Sequence, residues 1–249
     1  MTGLRAGDLK QGGQRMGFIA RAFEYYEGLP HQREAIAKLE GMVPPHCVEA
    51  FAKIFSPSDD LEYCLPVPFM SQLDNALMAH RTCNPSSCAM CLEFLEPGMI
   101  NGDDDLIVEM EKRAWDVTNH TAMTKILRLY GLESVFRFDL TKDVLENEIR
   151  NGRPVVLGIL HKGPADKPWG GHMIVAVGLD PAENAVICHD PYGSLLDGYS
   201  GSAESGKFVR YPWSELRGRW LVEGPESGWG RIFLTSKTQE TPNGHYRAA

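Results

Sequence analysis

The hydrophobic period of this chain changes near residue 152. Before it, apolar residues recur mostly at helical spacing; after it, short Val/Ile/Leu-rich runs alternate with turn residues. The spacing predicts helices over 18–40 (broken at Gly28-Leu29-Pro30), 48–55, 85–95, 103–115, 121–130 and 145–151, with a strand at 134–138 among them. It predicts strands over 155–160, 172–179, 185–189, 208–211 and 230–234. Helices first and strands afterwards imply an α+β fold, with an antiparallel sheet packed against the helices.

Punctuation divides the chain. Residues 1–15 are polar and Gly-rich and are expected to be a disordered tail. Residues 16–60 read as a small helical module ending in the linker Ser56-Pro57-Ser58-Asp59-Asp60, too short for a generous core of its own. Residues 61–236 read as the main domain and 237–249 as a flexible tail. A net charge of −8 without a Lys/Arg run argues against non-specific binding to nucleic acid or anionic membrane. The longest apolar stretches, such as 173–179, are strand-sized, far below the roughly 20 residues of a membrane span. The opening residues lack an apolar core, so no secretory signal is expected and the chain reads as cytoplasmic on synthesis.

The cysteines are Cys47, Cys64, Cys83, Cys88, Cys91 and Cys188. Reduced thiols are the expectation. Cys83, Cys88 and Cys91 invite a zinc reading, but no second knuckle stands at zinc-finger spacing, and Cys88 and Cys91 read as apolar helix residues. No metal and no cofactor are expected. Asp103-Asp104-Asp105 reads as a solvated helix start favoured by the dipole, with Ca²⁺ binding as the alternative.

Cys83 carries the sharpest chemistry. In Thr82-Cys83-Asn84-Pro85, the proline is favoured in the first turn of a helix, which sets Cys83 at or just before a helix N-terminus. Free N–H groups and the dipole there stabilise a thiolate, the nucleophilic form. A thiolate of this kind works with a histidine held by a third group. Gly170-Gly171-His172 opens one predicted strand, and Cys188-His189-Asp190-Pro191 closes the next. A hairpin centred on Pro181 would set His172 opposite Asp190 on one face, within reach of a hydrogen bond that fixes the imidazole tautomer. A one-residue slip would turn Asp190 away. The same residues also read as a plain loop and a strand-ending turn. His189 should point to the other face, and His120 reads as a neighbour of a helix cap. Gln72, in a loop upstream of Cys83, has an amide able to donate to an oxyanion.

Taken in order, VPFMSQLDN, TCNPSSCAM, GGHMIVAVGLD and VICHDPYG, from Val67 to Gly193, resemble the papain-like cysteine peptidases related to bacteriocin-leader-processing peptidases. The resemblance implies a papain-like fold with the nucleophile helix packed on the sheet. It implies Cys83 as nucleophile, His172 as base, Asp190 as orienter and Gln72 as oxyanion donor. Asn84 stands where many members have Gly, so Asn84 and Gly171 are expected beside the substrate. Trp169, in the Gly/Pro-rich loop before His172, is expected to line the cleft. Segments Phe23–Gln32 and 219–231 resemble phage and cyanobacterial proteins that accompany cell-wall hydrolysis. That implies an endolysin-like peptidase or amidase, expected to be monomeric, acting on peptidoglycan or peptide at the cell wall. A binding module on the same fold and a peptidase or transpeptidase acting on protein are the alternatives.

Overall fold

The computed structural model describes residues 62–234. The expectations for 1–61 and 235–249, including the helical module and both tails, lie outside the described residues. Among these residues the elements run β1 (Tyr63–Cys64), α1 (Cys83–Leu95), α2 (Asp104–Lys112), α3 (His120–Leu129), β2 (Glu133–Leu140), α4 (Lys142–Arg150), β3 (Val155–Lys162), β4 (Trp169–Asp180), β5 (Ala185–His189), β6 (Val209–Pro212), α5 (Trp213–Trp220) and β7 (Gly228–Leu234). The strands form one antiparallel sheet in the order β2-β7-β3-β4-β5-β6, with β1 added on β4.

The sheet is covered on both faces. Met173, Val175 and Val177 of β4 pack with α1, α2 and α3, while Ile174 and Ala176 face the other way, with Leu145 and Ile149 of α4 and Leu216 and Trp220 of α5. Two covered faces explain why β4 reads as a continuous apolar run rather than an alternating one. Helix α1 is buried on every side, as an all-round apolar helix must be. Helix starts follow the local chemistry: Asn119 Oδ1 accepts from Ala122 N at 2.9 Å and Thr141 Oγ1 from Val144 N at 3.1 Å. Helix α5 was not legible beforehand. Its sequence, WSELRGRW, has no clear apolar stripe, and its Gly218 is needed because a Cβ there would stand 2.4 Å from Ala165 O.

The β4–β5 hairpin differs from expectation in register. Asp180 pairs with Ala185, so the centre lies between Ala182 and Glu183 instead of at Pro181. Continued unbroken, that register would set His172 across from Gly193 and turn Asp190 to the opposite face. A one-residue bulge between Ala176 and Gly178 restores the parity: beyond it Ala176 pairs with Cys188 and Val175 with His189. Asp190 then falls diagonal to His172 on the same face. Gly178 serves the bulge by letting β1 approach, since a Cβ there would come within 2.5 Å of Tyr63 O.

Candidate active site

Strand β5 ends at His189, whereas β4 runs on to Trp169. The two strands therefore part at Val175, and the edge of β4 at His172 and Met173 is left open on that side. The N-terminus of α1 fills this gap. Cys83 is the first residue of the helix, so its sulfur lies among N–H groups with no intrahelical acceptor. Pro85, in the first turn, loses no hydrogen bond by lacking an N–H. Ser87 Oγ ties the helix to the open strand, donating to Met173 O at 3.1 Å.

His172 and Asp190 meet as the sequence suggested. Nε2 of His172 lies 2.7 Å from Asp190 Oδ1, and both side chains are buried. With Nε2 engaged, Nδ1 is the ring nitrogen left for Cys83, which is in hydrogen-bond contact with the imidazole. Burial alone would lower the His172 pKa. The charge and hydrogen bond of Asp190, reinforced by Cys83, overcome it and raise the value to about 10. For Cys83, burial opposes ionisation, but the hydrogen bond and charge of His172 and the backbone N–H of Met173 prevail, and the thiol pKa is lowered. Both shifts favour the charged forms of the pair.

Asp190 is held by more than the histidine. Its Oδ1 also accepts from Tyr192 N at 3.0 Å, and its Oδ2 accepts from the hydroxyls of Tyr211 at 2.9 Å and Tyr199 at 3.3 Å. Nothing in the sequence marked Tyr199 or Tyr211. One comes from a loop nine positions on and the other from β6, so only the sheet order brings them to Asp190.

The loop carrying Gln72 is laced to the same place. Leu65 N donates to Val177 O at 2.8 Å, Val67 O bonds His189 Nε2 at 2.9 Å, and Gln72 N donates to Pro191 O at 2.9 Å. The Gln72 amide is buried, and its Nε2 donates to Ala79 O at 2.7 Å. That carbonyl accepts only, which fixes the amide orientation and leaves Nε2 a second N–H to give.

The remaining expected residues divide. Gly171 is exposed beside His172. Asn84 does not face an open cleft: it is buried, donating to Val117 O at 2.9 Å and accepting from Cys88 Sγ at 3.8 Å, because it follows Cys83 into the packed side of α1. Trp169 is 60% exposed at the start of β4, with Lys162 Nζ 4.9 Å from its ring centroid. Strand alternation places it on the face of Gly171 and Met173. The indole next to Gly171 is Trp229, which lies flat over Gly158 and 3.7 Å from the position a Gly171 Cβ would take. His189 is buried on the other face, between Val67 O and Phe208 N, and burial lowers its pKa to about 4. His120 opens α3, and its ring stacks on Phe136 at 3.7 Å. Cys88 and Cys91 are enclosed in the core, where burial pushes both thiols up. The three aspartates are not one solvated run: Asp103 is buried and accepts from Ser86 Oγ, Asp104 accepts from Ala76 N at 3.2 Å, and Asp105 from Asn101 N at 2.8 Å. Among the described residues, no helix is long and apolar enough to cross a membrane.

Comparison with known proteins bears on the family and the fold. The model of the Peptidase_C39 like family matches residues 64–221. A putative C39-like peptidase from Bacillus anthracis has a similar fold: TM-score 0.50 at 17% identity, covering 72% of this chain and 100% of the other. A double glycine motif protease from an AMS/PCAT transporter, solved with its leader peptide, aligns with TM-score 0.44 at 17% identity over 69% of this chain and 93% of its own. No curated protein matches.

Proposed function

The chain belongs to the Peptidase_C39 like family, a family of cysteine peptidases, and from that membership and the site geometry we propose that it hydrolyses amide bonds through Cys83, His172 and Asp190. The observation that carries the reading is the buried chain of contacts from Cys83 through the imidazole to Asp190 Oδ1 at 2.7 Å. The Cys83 thiolate attacks the carbonyl carbon. The negative oxygen that forms meets the N–H of Cys83 and the second N–H of Gln72. Collapse of this intermediate breaks the C–N bond, and imidazolium His172 gives its Nδ1 proton to the departing amine. The result is a thioester. Water, deprotonated by neutral His172, attacks the thioester, and breaking of the C–S bond releases the acid and returns the Cys83 thiolate beside imidazolium His172. Asp190 holds the ring in the productive tautomer throughout.

The substrate we assign is a peptide or amide bond of bacterial peptidoglycan, which makes the protein endolysin-like. This rests on the resemblance of 23–32 and 219–231 to proteins that accompany wall hydrolysis. The exposed Trp169 and Gly171 supply a wall and an open rim on the Cys83 side of the sheet. The enzyme would be made in the cytoplasm and meet the wall afterwards.

Purified wild type and Cys83→Ala are incubated with peptidoglycan, and new amines and soluble muropeptides are followed by mass spectrometry. Fragments from wild type alone support the reading and name the bond. Equal cleavage by both removes Cys83 from the mechanism. Cleavage by neither, with wild type active on a protein substrate, replaces peptidoglycan with protein.

A further inference from the structure

The histidine meets Oδ1 of Asp190, yet Oδ2 also has two donors. Tyr211 O–H reaches it at 2.9 Å from β6 and Tyr199 O–H at 3.3 Å from the loop after β5. With His172 Nε2 and Tyr192 N on Oδ1, the carboxylate has four donors, about the number of lone-pair sites it owns. Tyr211 is fixed in turn by the N–H of Leu195, which donates to its oxygen at 3.0 Å. Tyr199 takes a left-handed backbone, φ 61°, which disfavours a bulky side chain. Its ring stands edge-on to His172 at 6.0 Å, His161 at 5.7 Å and Tyr192 at 5.1 Å. The loop thus holds a strained residue where one side chain meets both the carboxylate and the imidazole.

We propose that Tyr199 and Tyr211 are positioning residues that set the charge available to His172: each phenol draws part of the carboxylate's charge onto Oδ2 and keeps Oδ1 aimed at Nε2. This rests on the Cys83–His172–Asp190 reading above. Several other titratable or charged groups face the site, among them Tyr192, whose ring stands edge-on to His172 at 6.1 Å, and His80, edge-on to Tyr192 at 6.4 Å. From α1 comes Cys83. From β3 comes His161, kept neutral by burial and by His172, with its pKa lowered to about 4. Arg219 of α5 acts on Tyr199, and Cys188 lies on β5 two positions before Asp190, its thiol pushed up by burial. Both phenols are pushed up by burial and by Asp190, so they remain donors through the working range.

The sign follows directly. Removing one hydroxyl returns charge to Asp190, whose hold on the imidazolium tightens, so His172 gives up its proton at higher pH. The experiment is the pH–rate profile for alkylation of Cys83 by iodoacetamide in wild type, Tyr199→Phe and Tyr211→Phe, with Cys83→Ala as the blank and circular dichroism as the check on folding. The expected result is an upward displacement of the upper step by about 0.5–1 pH unit in each folded phenylalanine variant. A purely structural role for the tyrosines would change stability and leave this step in place. Profiles that coincide with wild type in either folded variant overturn the proposal. A wild-type Cys83 that alkylates only as an ordinary thiol overturns the triad reading and the proposal with it. Tyr199 is partly exposed, so its variant keeps the ring packing, and Tyr211→Phe tests the same oxygen from a second element.

Discussion

The placement of single residues was the most legible part of the sequence. Pro85 two positions after Cys83 fixed the helix start, and the structure begins α1 at Cys83 itself. His172 and Asp190 were placed by strand parity, which survives because the bulge at Val177 compensates for a hairpin centred elsewhere. Tyr199 and Tyr211 were invisible because a donor supplied from a distant loop or strand leaves no local pattern. Asn84 was misplaced because a residue adjacent to a nucleophile need not share its exposure: one step along a helix turns the side chain by about 100°. Two predictions belong here. Gln72→Ala should lower kcat by about 10²–10³-fold with KM little changed, since the amide is needed where the oxyanion develops; steady-state kinetics check it. Asp190→Asn should lower kcat at least as far while leaving Cys83 in place, because the imidazole loses both its tautomer and its stabilising charge.

At the scale of elements, the period change near residue 152 separated helices from strands correctly for most of the described chain. The exceptions have physical reasons. Helix α5 is short and carries Gly218 in its interior, and β1 is two residues long, so neither offers a period to read. The packing of Gly206 is another long-range feature. Its carbonyl accepts from Asp190 N at 2.9 Å, and a Cβ on it would stand 2.1 Å from Asp190 O. Backbone cannot yield as a flexible side chain does, so Gly206→Ala should push Asp190 off His172. The expectation is a destabilisation of about 1–3 kcal/mol in a denaturant titration, with a loss of activity larger than the stability loss explains. Unchanged activity in that variant would mean that the Asp190 turn tolerates movement.

Across the whole molecule, buried neutral histidines set the response to acid. His189 is fully enclosed and donates from Nε2 to Val67 O while its Nδ1 accepts from Phe208 N, a pattern only the neutral ring can make. Its folded pKa, lowered by burial to about 4, lies below the usual value of 6.5, so the unfolded chain binds the proton first. Stability is therefore fully present above pH 6.5 and falls as pH drops towards 4, by at most about 1.4 kcal/mol per pH unit for this group. His161 and His120, also lowered to about 4 by burial, act in the same sense. Urea titrations from pH 7.5 to 4.5 should show the loss, and His189→Gln should flatten it. A slope unchanged by that substitution would place the acid sensitivity elsewhere. The burial of His189 follows from the cover on its face of the sheet: the loop 65–72 closes over it, and the same loop delivers Gln72.

The central claim is that one sulfur among those described is poised as a thiolate by His172. Brief treatment with iodoacetamide at pH 6, followed by peptide mapping of wild type and His172→Ala, addresses it without any assumption about substrate. The account predicts that Cys83 is labelled first in wild type, ahead of Cys64, Cys88, Cys91 and Cys188, and that the preference disappears in the variant. Labelling of Cys83 no faster than Cys64, or at the same rate without His172, would contradict it.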